Sequence, residues 1–181
     1  MKKLLLLFCT AGLALSASAQ KYMTRMGKVT FFSATPVENI EAINNEAAAV
    51  LDAATGELVY QVPIKSFRFE KQLMEEHFNE NYMESSRFPK AVFKGRLEEP
   101  SRVNFKADGT YPVNAKGELT IHGVTHIITV PGSITVKNGQ VTAASRFKVK
   151  TADYDIKIPA ATAGKIAGSI EITVNSLLSV R

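Results

Sequence analysis

The sequence is poor in the residues that usually carry chemistry. In 181 residues there are one cysteine, no tryptophan and three histidines. The cysteine, Cys9, lies in an apolar run at the N-terminus, so nothing after it carries a thiol. That excludes disulfides, thiolate nucleophiles and cysteine metal sites from the rest of the chain. A domain without disulfides must be held by its own core. Charge is also thinly spread. Lysine and arginine total 22 against 17 acidic residues, a formal net charge of +5. No Lys/Arg block marks a nucleic-acid or heparin patch, so no nucleic-acid partner is expected. Three catalytic or nucleotide signatures are missing as well: H-E-x-x-H, the G-x-S-x-G elbow and the G-x-x-x-x-G-K phosphate loop.

What is present begins with a leader. Met1-Lys2-Lys3 is a short positive region, Leu4 to Leu15 is apolar, and Ala17-Ser18-Ala19 is a small-residue cleavage pattern. That order is a secretory signal peptide. The apolar run is shorter than the roughly 20 residues of a membrane span. Phe8 stands before Cys9, where a lipid-attachment site wants a small residue, so Cys9 reads as part of the run. Residues 1–19 are therefore expected to be removed. Residues 20–181 are expected to form one domain with no transmembrane span and a formal charge of +3, in the periplasm or outside the cell. The sequence is compatible with a homodimer and does not require one.

Most of that domain reads as strands. Leu58, Tyr60, Val62 and Ile64 alternate with Val59, Gln61, Pro63 and Lys65. Ala91, Phe93, Gly95 and Leu97 alternate with more polar neighbours, and so do Val113, Ala115, Gly117, Leu119 and Ile121. A period of 2 gives each segment one apolar face. Similar runs follow at 126–130, 133–137, 141–150, 154–158 and 168–175. Asn138-Gly139 is a strong signal for a two-residue hairpin turn. Ala54-Thr55-Gly56 and Asp108-Gly109 mark further turns, and Pro131-Gly132 a bend or bulge within a long strand. Seven or eight strands with short connections predict an all-β fold, an antiparallel barrel or sandwich. Glu41 to Leu51 is ambiguous between helix and strand. Lys71 to Met83 predicts a short inserted helix, with Leu73/Met74, Phe78 and Tyr82 on one face.

The histidines do not make an obvious site. His77 reads as a partly exposed helix residue. If Gly123-Val124-Thr125 is a three-residue loop, His122 and His126 stand opposite each other across a ladder. Two imidazoles fall short of the three or four ligands of a zinc site, and no third is evident, so no metal is expected. Spacing alone neither shows nor excludes carboxylate pairs brought together by folding. No cofactor is required by any motif, and no catalytic residue is assigned. The aromatic residues cluster: Phe31-Phe32, Phe67, Phe69, Phe78, Phe88 and Phe93. A small barrel either fills its interior with such side chains or holds one slender ligand there.

Three stretches together resemble the YceI-like family of exported bacterial proteins: EHFNENYMESSRFPKAVFKG (76–95), GELTIHGVTHIITVP (117–131) and DYDIKIP (153–159). The resemblance runs from about Gly27 to Val174. It rests on F-P-K-A-x-F-x-G and G-x-L-T-I-x-G-V-T taken together. The first strand lacks the family's usual His-Ser, and LMEEHFNENYMESSRFP (73–89) is longer than the usual Asp-rich form, which marks a subgroup. The resemblance implies an extended, lipocalin-like antiparallel β-barrel of about eight strands with a short helix inserted. It implies a bound polyisoprenoid or quinone-like lipid and no catalysis. The expected wall of the binding space is Phe31, Phe67, Phe69, Met74, Phe78, Tyr82, Met83, Phe88, Phe93 and Ile121. The competing expectation is a filled barrel serving as a stress-response or protein-interaction module. A leader cut after Ala19 predicts that intact-mass measurement of the exported protein gives a chain starting at Gln20. Retained Met1, or a diacylglycerol on Cys9, would contradict it.

Overall fold

The computed structural model describes residues 20–181, so the expected leader lies outside the described residues. The strands are β1 (Lys21–Ala34), β2 (Asn39–Asp52), β3 (Glu57–Pro63), β4 (Arg68–Phe69), β5 (Lys90–Leu97), β6 (Gly109–Ile121), β7 (Val124–Lys137), β8 (Gln140–Lys150) and β9 (Ser169–Val180). All pairings between them are antiparallel. The order is β1-β9-β8-β7-β6-β5-β3-β2, and β1 pairs with β2 to close the ring. Eight strands thus form a barrel without edges. The two-residue β4 only touches β2, at Ala42 and Ile43.

Alternation decides what faces inward. In β6, Ala115 and Leu119 are buried while Asn114, Lys116 and Glu118 are exposed. The same rhythm in β2 buries Ala42, Asn44, Ala47, Ala49 and Leu51. Glu41 to Leu51 is therefore strand. Its alanines are good helix formers, but their small side chains fit a crowded inward face, and pairing with β1 on one side and β3 on the other decides the matter. The runs at 126–130 and 133–137 are one strand, β7, continuous through Pro131-Gly132.

The register sorts the connections between the two ends of the barrel. The turns at 53–56 and 138–139, the segment 98–108 and both chain ends share one end. That end is packed shut: Tyr22 stacks on Phe105 at 5.4 Å, over the buried Leu51, Val136, Val141 and Leu178. The other end carries the turn at 35–38, the segment 64–89 and the segment 151–168. In the first of these long segments, α1 (Gln72–His77) continues into one π-helical turn, Phe78–Tyr82. In the second, the run 154–158 is not a strand. A 3₁₀ turn, Thr151–Tyr154, leads into extended chain with no ladder partner.

The histidine hairpin also differs from expectation. His122 and Gly123 form a two-residue turn with φ of 50° and 79°, like Asn138 and Gly139 at 50° and 77°. Positive φ at both positions matches the right-handed twist of the flanking strands. His126 consequently faces Leu119, and His122 sits in the turn itself. The rings do not oppose each other. Instead, His122 Nδ1 lies 3.2 Å from the Tyr154 carbonyl, and His126 Nε2 lies 2.7 Å from the Asp153 carbonyl. Each ring N–H donates to a carbonyl of the 3₁₀ turn, so the hairpin tip holds down the base of the 151–168 segment. Replacing both histidines by alanine is expected to lower stability by about 1–2 kcal/mol, about 1 kcal/mol per lost bond. An unchanged urea midpoint would show that the rings hold nothing.

At the packed end, Asp52 organises the β2–β3 turn. Its Oδ1 accepts from the amides of Ala54 (2.9 Å) and Thr55 (3.1 Å), and Lys21 Nζ lies 3.9 Å from Oδ2. The Thr55 amide foremost, with the Ala54 amide and the Lys21 charge, holds this carboxyl below its usual range against the opposing effect of burial. A lowered folded-state pKa adds stability above the unfolded value of about 3.9 and loses it as pH falls through the folded value. Asp52→Asn keeps an acceptor but removes the charge. Its deficit against the wild type should be about 1 kcal/mol at neutral pH and should vanish once acid protonates Asp52. Urea unfolding across that range checks this. A deficit that persists in acid contradicts it.

Candidate ligand-binding cavity

The open end of the barrel leads into a cavity of about 620 Å³. That volume falls within the range of about 300–1,000 Å³ typical of small-molecule sites. Its wall is the inward face of the sheet: Leu58, Tyr60 and Val62 from β3, Ala91 and Phe93 from β5, Ala115, Leu119 and Ile121 from β6, and Ala143 and Phe147 from β8. Small residues at several of these positions keep the interior from filling. At the level of Tyr60 the lining includes a buried phenol. Burial pushes that phenol up, with the nearby Ser176 hydroxyl partly offsetting the effect. Neither hydroxyl reaches a partner in hydrogen-bond geometry.

Four phenylalanines gather where the segment 64–89 crosses the barrel rim. Phe78 lies 5.3 Å from Phe31, 5.6 Å from Phe67 and 5.1 Å from Phe69, centroid to centroid. Phe31 also contacts Phe67 and Phe69, at 5.5 Å each. Contacts of this kind add roughly 0.5–1.5 kcal/mol per pair beyond area burial. They anchor a helix that otherwise buries nothing: no residue of α1 is buried, and Leu73 is 61% exposed. The expected helical face is therefore only partly realised. The Met83 amide donates to the Phe78 carbonyl five residues back (2.9 Å), and this wider turn sends Tyr82 and Met83 into the cavity wall together. Glu84 then takes a left-handed φ of 42° and ends the turn.

Of the ten wall residues expected from the sequence, Phe31, Phe67, Phe69, Met74, Phe78, Tyr82, Met83, Phe93 and Ile121 all line this cavity. Phe88 does not. Its ring packs edge-on against His122 at 4.5 Å, beneath the Arg87 guanidinium at 4.9 Å. The chain reverses at Glu84 to Phe88, where the amides of Arg87 and Phe88 both donate to the Glu84 carbonyl. That reversal carries Phe88 away from the aromatic group and onto the hairpin tip.

The second wall of the mouth was not anticipated. Tyr154, Ile156, Ile158, Thr162 and Ile166 of the segment 151–168 also line the cavity. Burial pushes the Tyr154 phenol up, with the Asp153 charge adding to it. The two mouth segments meet through a hydrogen bond of 3.2 Å between the Tyr82 and Thr162 hydroxyls. The charged or titratable nitrogen and carboxylate groups on the lining, Glu38, Lys71, His77, Lys150 and Lys165, all sit at this end. Among the described residues, no three His, Asp or Glu side chains converge as a metal site.

Several solved structures share this architecture. A polyisoprenoid-binding domain from Saccharophagus degradans aligns with a TM-score of 0.78 at 11% identity, over 90% of this chain and 99% of that one. BcnA of Burkholderia cenocepacia aligns with a TM-score of 0.69 at 17% identity, over 84% and 96%. A YceI protein of Campylobacter jejuni aligns with a TM-score of 0.58 at 18% identity, over 76% and 82%. No curated protein matches the chain. Identities this low show a common fold and no more. The model of the YceI-like domain matches residues 17–177, nearly the whole length, and on that match the chain belongs to the YceI-like domain family.

Proposed function

We propose that this protein is an exported lipid-binding barrel. In this reading it encloses a single isoprenoid-like or other long apolar molecule, for transport or storage, and performs no chemistry on it. The observation that carries the proposal is the open, apolar interior. A filled barrel would have large side chains meeting across the axis. Here Ala91, Ala115 and Ala143 stand at inward positions and leave about 620 Å³ free. The structurally similar domain of Saccharophagus degradans is described as binding a polyisoprenoid, which supports the same class of ligand here. The leader supports release into the periplasm or beyond.

The energetics suit an apolar chain. Burying it gains about 25 cal/mol per Å² of apolar surface removed from water. Water in so apolar a cavity finds few hydrogen-bond partners, so an apolar chain displaces it without loss. The aromatic rings and the flexible Met74 and Met83 thioethers adapt to an irregular shape.

The test separates wall from core. Phe78→Ala and Tyr82→Ala should weaken binding of a fluorescent prenyl probe to delipidated protein by about tenfold or more, some 1.4 kcal/mol. Their urea midpoints should move less than that of Leu178→Ala, whose fully buried side chain lies outside the cavity lining. A core truncation of that kind costs about 2–5 kcal/mol. Unchanged probe affinity in both wall variants, with a loss of stability as large as that of Leu178→Ala, would show that these residues are core.

A further inference from the structure

The cavity ends against the packed end of the barrel, and the layer that stops it has a regular build. Leu97 of β5 and Ile134 of β7 line the cavity. Both also belong to the same buried cluster as Tyr22, Leu51, Val136, Val141 and Leu178, none of which lines it. These two side chains therefore have open space on one side and packed core on the other. One inward step along β7, from Ile134 to Val136, passes from lining to core, a rise of about 7 Å.

Each of the two lies beside an alanine. Leu97 pairs with Ala115 of β6, and Ile134 pairs with Ala143 of β8. Both alanines line the cavity too. They keep 6% of their surface exposed, against 1% for Leu97 and 2% for Ile134. The space thus opens over the short side chains and stops against the long ones. Beyond them, Tyr22 stacked on Phe105 closes the end. An apolar chain laid along the barrel gains with each methylene it buries. That gain ends where the chain meets close-packed side chains that cannot move aside.

We propose, resting on the lipid-binding reading, that Leu97 and Ile134 are specificity-determining residues that set the longest apolar chain the barrel encloses. Ala115 and Ala143 beside them set how close to the packed end its tip comes. The selection is by length and is independent of what the chain carries at its other end.

The experiment measures displacement of a fluorescent prenyl probe from delipidated protein by straight-chain alcohols of increasing length. In the wild type, affinity should rise about fourfold per added methylene and then stop rising at one limiting length. In Leu97→Ala and in Ile134→Ala that length should increase by roughly two carbons, because each substitution clears a branched side chain and the surroundings relax only in part. Ala115→Leu and Ala143→Leu fill the space instead of emptying it and should shorten the limiting length, so the proposal does not depend on the large-to-small variants folding. Leu178→Ala, in the same cluster but off the lining, should lower the urea midpoint and leave the limiting length unchanged. An affinity that keeps rising with every added methylene would show that the chain finds another way out of the barrel. A limiting length unmoved by substitution at Leu97, Ile134, Ala115 and Ala143, or moved equally by Leu178→Ala, would show that this layer does not measure the chain. Either result overturns the length proposal while leaving lipid binding intact. Uptake of neither the prenyl probe nor any alcohol would overturn the lipid-binding reading itself.

Discussion

The pairing of β1 with β2 is the interaction on which the rest of the molecule depends. It converts an eight-strand meander into a ring. Once the ring is closed, the ladder satisfies the backbone polar groups of the wall without help from the interior. A sandwich must fill the space between its sheets to hold them together. A closed barrel is held by its own hydrogen bonds and can leave part of its middle empty. The closed end shows what a filled interior looks like in this chain: Tyr22 stacked on Phe105 above Leu51, Val141 and Leu178. Beyond that layer small residues interrupt the inward faces, Ala115 in β6, Ala143 in β8 and, nearer the mouth, Ala91 in β5, and the cavity begins.

An empty apolar space is costly for the free protein, because lining atoms lose their contacts. The mouth segments are the parts least tied to the sheet. The helix α1 contributes no buried residue, and its hold on the barrel passes through Phe78 and the three rings around it. The segment 151–168 is held by the two histidines of the β6–β7 turn, by the Thr151 and Ala167 bonds, and by Thr162 meeting Tyr82. Rigid wall and lightly tethered rim are the division expected of a binding barrel, since binding elements are drawn from the less stable parts of a structure.

Much of this was legible in the residues. Period-2 alternation identified the inward faces of β3, β5 and β6, and Asn138-Gly139 located a hairpin. Nine of the ten expected wall residues line the cavity, because aromatic residues clustered near one another in sequence fall at one end of the barrel. Three readings went differently for physical reasons. Residues 154–158 alternate without being a strand: Tyr154, Ile156 and Ile158 face the cavity from a loop, and that reproduces the pattern of a ladder strand. Phe88 follows a left-handed Glu84, and a reversal of that kind leaves no trace in periodicity. The histidine pair depended on whether the loop had two residues or three, and one residue of register moves His126 from His122 to Leu119.

The central claim is that the interior is kept open for a lipid. It is tested most directly by purifying the protein from its own cells without detergent, extracting it with organic solvent and analysing the extract by mass spectrometry. The account predicts one dominant apolar-chain molecule in near-stoichiometric amount, which the stripped protein takes up again. An extract free of lipid, from a protein that also fails to take up prenyl or fatty-acyl probes, would contradict it.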